Sequence, residues 1–395
     1  MVWRKGWNRL KIKTDFLSLV ETRTLFDAFH SKGFQIYFVG GCVRNAVLGV
    51  PVHDLDLATD ATPSDMRDLA KTHQFKIVPT GEDHGTMTFV LGEHIFEVTT
   101  FRDDIETDGR RAKVSFSKSM HDDAQRRDFT MNALYLDAKG NVFDPISGLQ
   151  DAQDRRVVFI GDPEKRIKED YLRILRFLRF IAQYSDSMDT IDPNSFAACA
   201  EHQDGLAHVS KERLTQEIVK ILVAPNAVRS ISAMAAAGIL GRILPGSDPK
   251  YLPILIELQS NVSATFHARL AALGALDWQK WLRLSNSDSK RTQVILGAAQ
   301  DGFSPFKMGY ILGQADGKQA YHLRCAFLER FANVDDCALI DEGAKAIFPL
   351  RAADLMDYVQ GPALGAALKT AKDAWMEHNG ILTKDKLIDL ALTHG

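Results

Sequence analysis

Residues 35–59 read QIYFVGGCVRNAVLGVPVHDLDLAT, and the order of features in this stretch decides the architecture of the N-terminal part of the chain. The apolar run QIYFV predicts a buried strand, Gly40-Gly41 a tight turn, and Val43 to Leu48 the first turns of a helix ending near Gly49. DLDLAT then alternates acidic and apolar residues, the pattern of a half-buried strand. On that strand Asp54 and Asp56 are two apart, so their carboxylates project from one face, close enough to share a divalent cation. A strand, a glycine pair and a helix start also leave bare backbone N–H groups where a triphosphate can meet a helix N-terminus, with Arg44 one turn on as counter-charge. Either feature alone is weak; a D-x-D pair is equally met at a solvated strand edge, and the combination carries the reading.

Moving outward, Thr62-Pro63-Ser64-Asp65 supplies an N-cap, a proline at the first helical position and an acidic first turn, predicting a helix to about Lys71. GTMTFVL and HIFEVTTF flank Gly92-Glu93 as a hairpin. Alternation puts Glu97 on one face with Ile95 and Thr99, where a third carboxylate would complete a two-metal clamp: one ion on the attacking hydroxyl, the other on the leaving pyrophosphate. Hard oxygen ligands and substrate phosphates suit magnesium. From Asp103 to Asp123 apolar periodicity fades, predicting a mobile loop or a weakly ordered ribbon. Order returns in RRDFTMNALYLD, and GNVFDPISG closes the module. Asp162-Pro163 is a second capped helix start, and with no breaker from Glu164 to about Tyr184 one long helix is expected. Everything beyond reads as helices joined by short turns such as LPGSDPK, without repeats or low-complexity segments.

A chain of 395 residues, 45% apolar, is long enough for more than one core. Lys plus Arg is 48 and Asp plus Glu is 51, so a net charge of −3 offers no global attraction to a polyanion, and any nucleic-acid surface has to arise by local clustering. Cys42, Cys199, Cys325 and Cys337 lack C-x-x-C spacing, which argues against a zinc site or disulfide framework and points to a reducing, cytoplasmic setting. The basic start MVWRKGWNRLKIK is followed by no apolar core of a signal peptide, and no run is long enough to span a bilayer, so no membrane partner is expected.

VGGCVRNAVLG, HDLDLATDATPSDM, GTMTFVLGEHIFEVTTFR, RRDFTMNALYLD and DPEKRIKEDYLRILRFLRF, in that order, resemble the successive motifs of class II tRNA CCA-adding enzymes and bacterial poly(A) polymerases. The resemblance covers residues 36 to about 184. It implies an α+β protein: a DNA polymerase beta-like nucleotidyltransferase head with a mixed sheet, then an all-α neck, body and tail. The boundaries expected are 1–155 for the catalytic head, 156–225 for a neck that recognises the base, and 226–395 for a body and tail that bind tRNA. By resemblance Asp54 and Asp56 hold magnesium, Glu97 is the third carboxylate, and Gly40, Gly41 and Arg44 meet the triphosphate. Arg127 resembles a phosphate contact and Asp128 the acceptor of a ribose 2′-OH, roles that a guanidinium and a carboxylate can fill.

In the family an E-D-x-x-R pair, here Asp170 and Arg173, reads the incoming base. Three apart on one helix they are surface neighbours. Cytosine N4 and adenine N6 are both amino donors that suit a carboxylate, and the adjacent ring nitrogens are acceptors that suit a guanidinium. Guanine and uracil would set a carbonyl against the carboxylate, costing roughly 1–3 kcal/mol of discrimination. Arg176 and Arg179 continue the spacing but wind around the helix, so Arg176 is expected near the nucleotide and Arg179 less directly. His53-Asp54 and His121-Asp122 spell H-D, yet neither lies downstream with the further ligands of a phosphohydrolase, and no such domain is predicted.

Two activities share these head motifs. IFPLRAADLMDYVQGPALGAALKTAKDAW resembles the P-L-x-x-x-D-L and G-P-x-x-G-x-x-L elements of bacterial CCA-adding enzymes, and LIDLALTHG ends without the basic tail that serves nonspecific RNA. The expected function is therefore template-independent addition and repair of the 3′-CCA of tRNA from CTP and ATP, with tRNA and not DNA as partner. The alternatives are A-tail synthesis on RNA 3′ ends, or a catalytically silent RNA-binding relative, which the three carboxylates disfavour because it has no need of like charges held together.

Overall fold

The computed structural model describes residues 10–108, 111–260, 265–275 and 277–393. They form two compact units, Met1–Val209 and Ser210–Gly395.

In the first unit two short helices, α1 (Asp15–Ser18) and α2 (Val20–Ser31), lead into β1 (Ile36–Val39), the glycine turn, α3 (Gly41–Leu48) and β2 (Leu55–Thr59). Then come α4 (Pro63–His73), β3 (Lys76–Gly81) and the hairpin β4 (Thr86–Leu91) and β5 (His94–Thr100). Among the described residues one sheet has the order β3-β4-β5-β2-β1-β8-β9, its last two strands being β8 (Tyr135–Leu136) and β9 (Val142–Phe143). β2 and β5 are parallel and the other neighbours antiparallel, so the sheet is mixed as expected. Between β5 and β8 run β6 (Arg102–Asp108) and β7 (Arg111–Phe116), then α5 (Met120–Gln125). β6 and β7 pair antiparallel, so of the two forms expected for 103–123 it is the ribbon that occurs.

Local chemistry explains the boundaries. Gly49 ends α3 in the left-handed conformation, and α4 opens with a reciprocal capping box between Thr62 and Asp65. One sheet face carries Phe38, Leu57, Phe89 and Phe96 against Phe16, Leu25, Phe26 and Phe29 of the preceding helices; Phe16–Phe38 and Phe26–Phe38 ring centroids are 4.7 and 5.2 Å apart. The opposite face carries Val39, Ala58, Phe101, Ala133 and Tyr135, and on the same face Asp56 and Glu97 of the central strands β2 and β5.

After α6 (Leu149–Gln153) the neck begins with α7 (Pro163–Glu169), α8 (Leu172–Tyr184) and α9 (Pro193–Glu201). Here one expectation is corrected: the single helix from Glu164 to Tyr184 is two. Asp170 is extended (φ −156°, ψ 106°), and its carboxylate accepts from the Leu172 N–H at 3.1 Å. An aspartate offers the chain this cap in competition with the continuing helix, and the cap wins. α8 packs on the head through Phe129, Phe159, Phe177 and Phe180, with centroids 4.8 to 5.5 Å apart between Phe129 and Phe180 and between Phe159 and Phe177.

The described part of the second unit is helical, from Lys211–Val223 to Lys384–Thr393. One core gathers Leu255, Ile295, Met308, Tyr321 and Ile340, and another Phe306, Leu355, Trp375 and Leu387. Helices Pro305–Phe327 and Val334–Lys345 approach through bare glycines: a Cβ on Gly309 would lie 2.0 Å from the Ile340 carbonyl oxygen. Gly361-Pro362 opens the helix Pro362–Glu377. Among the described residues no helix is long and apolar enough to cross a membrane.

Candidate active site

Parallel pairing of β2 with β5 sets Asp56 opposite Glu97, and Asp54 lies one residue before β2, two from Asp56. Asp54 and Glu97 are exposed and Asp56 is half-buried. Burial first, then the charges of Glu97 and Asp54, push the Asp56 carboxyl above the usual carboxylate range, with Arg127 and Arg44 opposing. Three oxygen donors, one of them partly dry and crowded by like charge, fit a hard divalent cation. Among the described residues the three-ligand group closed to within 4.8 Å is another one, Glu164, Glu201 and His202, in which Glu164 is also paired with Lys168. The Asp54, Asp56 and Glu97 donors are set less tightly than that, which suits an ion that keeps waters and takes substrate phosphates. Cys42, behind Asp56, is a buried thiol whose pKa burial pushes up to about 12, so it stays neutral there.

Gly40 has φ 73° and ψ −128°, a conformation reserved for glycine, and gives α3 its start. Two arginines flank the turn. A Cβ on Gly40 would lie 3.4 Å from Arg127 Nη1, and one on Gly41 3.6 Å from Arg44 Nη2. Arg127 donates from Nε and Nη2 to Asp123 Oδ2 at 3.2 and 2.8 Å, and Tyr135 donates its hydroxyl to the same oxygen at 2.6 Å. Burial would raise the Asp123 pKa, but the Arg127 and Arg126 charges outweigh it and hold this carboxyl well below the usual range. Arg44 is more enclosed than helix spacing suggested, only 7% exposed. Its guanidinium donates to Asn132, to Tyr184 Oη at 2.5 Å, and to Asn45 Oδ1 at 2.9 and 3.1 Å, and lies 4.4 Å from the Tyr184 ring centroid.

Asp128 follows directly. Its Oδ1 accepts from the Phe129 N–H at 2.9 Å and from Asn132 Nδ2 at 2.8 Å, while Oδ2 accepts from Arg176 Nε at 3.0 Å and from Arg176 Nη2. Burial opposes ionisation, but Arg176 and these donors hold the pKa down at about 2. Arg173 is fixed by Glu169 and by the Arg166 carbonyl oxygen at 2.8 Å, and its own N–H reaches the Asp170 carbonyl at 2.9 Å. Asp170 and Arg173 thus remain neighbours, though at the start of α8 and not inside a longer helix. Arg179 stands over the Phe180 ring at 4.8 Å. Arg173, Arg176, Phe180 and Tyr184 form one stripe of α8, at helical steps of three, four and four, and the last three reach Asp128, Phe129 and Arg44 of the head.

Sequence reasoning passed over Glu169, Asn132, Asp123 and Tyr184, which hold the predicted residues in place. Glu169 directly precedes Asp170, and Asn132 and Asp123 are polar residues inside or beside an apolar block, a signal that was available. Tyr184, which closes on a residue 140 positions earlier, offers none.

A family model described as "Poly A polymerase head domain" matches residues 36–158, and one described as "Probable RNA and SrmB- binding site of polymerase A" matches 190–251. The chain is 37% identical over 236 residues to the human mitochondrial CCA tRNA nucleotidyltransferase 1, covering 56% of this chain and 54% of that one. The chain thus spans about half the length of this curated relative. The zebrafish protein of the same name is 29% identical over 387 residues, covering 92% of this chain and 88% of that one. In three dimensions the chain is similar to the Bacillus stearothermophilus CCA-adding enzyme in complex with CTP, with a TM-score of 0.75, 26% identity and coverage of 94% and 96%. Over nearly its whole length the chain is thus similar to CCA-adding enzymes, and residues 36–158 match the poly(A) polymerase head. The mixed-sheet head and helical remainder are the architecture expected from the resemblance, a polymerase beta-like nucleotidyltransferase fold.

Proposed function

We propose that the protein adds and repairs the 3′-terminal CCA of tRNA without a nucleic-acid template, using CTP and ATP. The observation that carries this is the Asp56–Glu97 register pair, with Asp54 beside it, on the sheet that ends in the arginine-flanked Gly40-Gly41 turn. The names of its relatives support CCA addition, and the complexes known for its structural neighbours are with CTP and ATP, and for a Thermotoga maritima enzyme with tRNA.

In this reading Asp54 and Asp56 hold magnesium and Glu97 completes the acidic set. The cation, when bound, supplies charge neutralisation at the attacking 3′-hydroxyl and at the departing pyrophosphate. Gly40 and Gly41 let the triphosphate approach the backbone N–H groups of α3, and Arg127 and Arg44 supply positive charge from either side of the turn. All four lone-pair sites of Asp128 are occupied by Phe129, Asn132 and Arg176, so accepting a ribose 2′-hydroxyl requires one donor to yield; Arg176 is the most exposed of them. Asp170 and Arg173 present an acceptor and a donor to the amino group and ring nitrogen shared in pattern by C and A, and Arg176 and Arg179 line the same end of the neck. The head of 1–155 carries the chemistry, the neck of 156–225 the base choice, and the body and tail of 226–395 the tRNA. A cytoplasmic site of action fits the free cysteines, although relatives include mitochondrial enzymes.

Purified protein with magnesium, single nucleotides, and tRNA ending before or within CCA tests this. Expected is extension that stops at CCA; long A tails would assign it to poly(A) synthesis, and no extension would remove the catalytic reading.

A further inference from the structure

Arg44 is the most enclosed cation of the candidate site, and the groups enclosing it come from three places. Four of its five N–H donors are engaged: Nε and Nη2 with Asn45 Oδ1, Nη2 again with Tyr184 Oη, and Nη1 with Asn132 Oδ1. The Tyr184 hydroxyl in turn donates to Asn45 Oδ1 at 3.2 Å, and the Tyr184 and Phe180 rings lie 4.4 and 5.0 Å from the guanidinium carbon. A planar cation held between two rings and three oxygen acceptors has one orientation.

The Asn132 carboxamide joins this cage to the rest of the site. Its oxygen faces a guanidinium and its nitrogen donates to Asp128, so its orientation is fixed by charge on both sides. Asp128 is paired to Arg176. A continuous path therefore runs Tyr184, Arg44, Asn132, Asp128, Arg176. It leaves α8 at its last residue, passes behind the glycine turn and returns to α8 two turns earlier.

We propose that Tyr184 and Asn132 are positioning residues: they lock Arg44 against the Gly40-Gly41 turn and tie that turn to the neck helix bearing Arg173 and Arg176. This rests on the reading of the turn and Arg44 as the triphosphate site. Neither residue touches the substrate; each acts by sparing Arg44 the search for its geometry when the nucleotide binds. Burial alone does not require the arrangement, because a phenylalanine at 184 would keep the ring over the guanidinium and lose only the hydroxyl.

Steady-state nucleotide addition on tRNA, with a thermal melt of each variant, is the test. Tyr184→Phe is expected to raise KM for both CTP and ATP about ten-fold, the scale of one lost hydrogen bond to a charged group, with kcat changed by less than about two-fold. A purely structural role would lower the melting temperature and the active fraction, hence the apparent kcat, and leave KM alone. Asn132→Leu is expected to raise KM in the same direction, read on the folded fraction. The deciding arm is the double variant: in an Arg44→Lys background, where the caged geometry no longer exists, Tyr184→Phe should add less than about two-fold. An unchanged KM in Tyr184→Phe, or a full ten-fold effect persisting in the Arg44→Lys background, overturns the positioning role. If Arg44→Lys by itself leaves nucleotide KM unchanged, the triphosphate reading of this turn fails and takes the inference with it.

Discussion

Asp128 shows how a single residue here couples stability to the site. Its unfolded pKa is about 3.9, and in the fold burial is outweighed by Arg176, Asn132 and the Phe129 N–H, leaving it at about 2. A depressed carboxylate contributes stability that is full above the unfolded value and disappears as pH falls through the folded one, here between about 4 and 2. The shift corresponds to on the order of 2 kcal/mol, and Asp128, nearly buried, needs little discount for solvent screening. Asp128→Asn is therefore expected to lower the unfolding free energy of the first unit, measured by urea denaturation at pH 7, by an amount of that order. The gap to wild type should narrow steadily below pH 4; a gap that stays constant to pH 2.5 would mean that the ion pair is not its source. The residue stood out in RRDF, where the resemblance implies a ribose contact. Its four donors were not, because two of them come from Arg176, 48 positions along the chain.

At the scale of elements, β1, β2, the hairpin at Gly92-Glu93, the Thr62 cap and the glycine turn followed directly from alternation and turn chemistry, since each is set by neighbours within a few residues. The exception is the junction of α7 and α8, where the uninterrupted helical pattern concealed a break. Nothing in a count of helix formers distinguishes an aspartate that faces solvent from one that turns its carboxylate onto the Leu172 N–H. The break matters for function in the proposed reading, because it sets Asp170 and Arg173 at a helix start with Glu169 behind them. Two substitutions separate the structural and the recognition role of Asp170. Asp170→Ser keeps a capping hydroxyl but removes the anionic acceptor, and should leave stability within about 0.5 kcal/mol. Asp170→Ala removes both, and should cost about 1 kcal/mol. In both variants the preference for CTP over UTP, measured as the ratio of kcat/KM values, should fall on the order of ten-fold or more. A ratio unchanged in Asp170→Ser would end the idea that a protein side chain reads the base here.

For the whole molecule, each unit owns its cores. The first closes around the sheet and the Phe129, Phe159, Phe177 and Phe180 cluster that binds neck to head, and the second around its own two helical clusters. Every side chain placed in the candidate site, from Gly40 to Tyr184, lies within the first. With a net charge of −3 the chain has no general attraction for RNA, so the proposed affinity for tRNA requires local surfaces, which the proposed division places largely beyond residue 209. Residues 1–209 produced alone are accordingly expected to unfold in one cooperative transition and to bind CTP with magnesium within a few-fold of the full chain's affinity. Their kcat/KM for extending tRNA should fall by on the order of 100-fold or more, about 2.7 kcal/mol of binding at 25 °C. Calorimetric CTP titration and single-turnover extension measure the two quantities separately. Loss of CTP binding in a fragment that melts cooperatively would show that the second unit contributes to the nucleotide site; undiminished tRNA extension would move RNA recognition into the first unit.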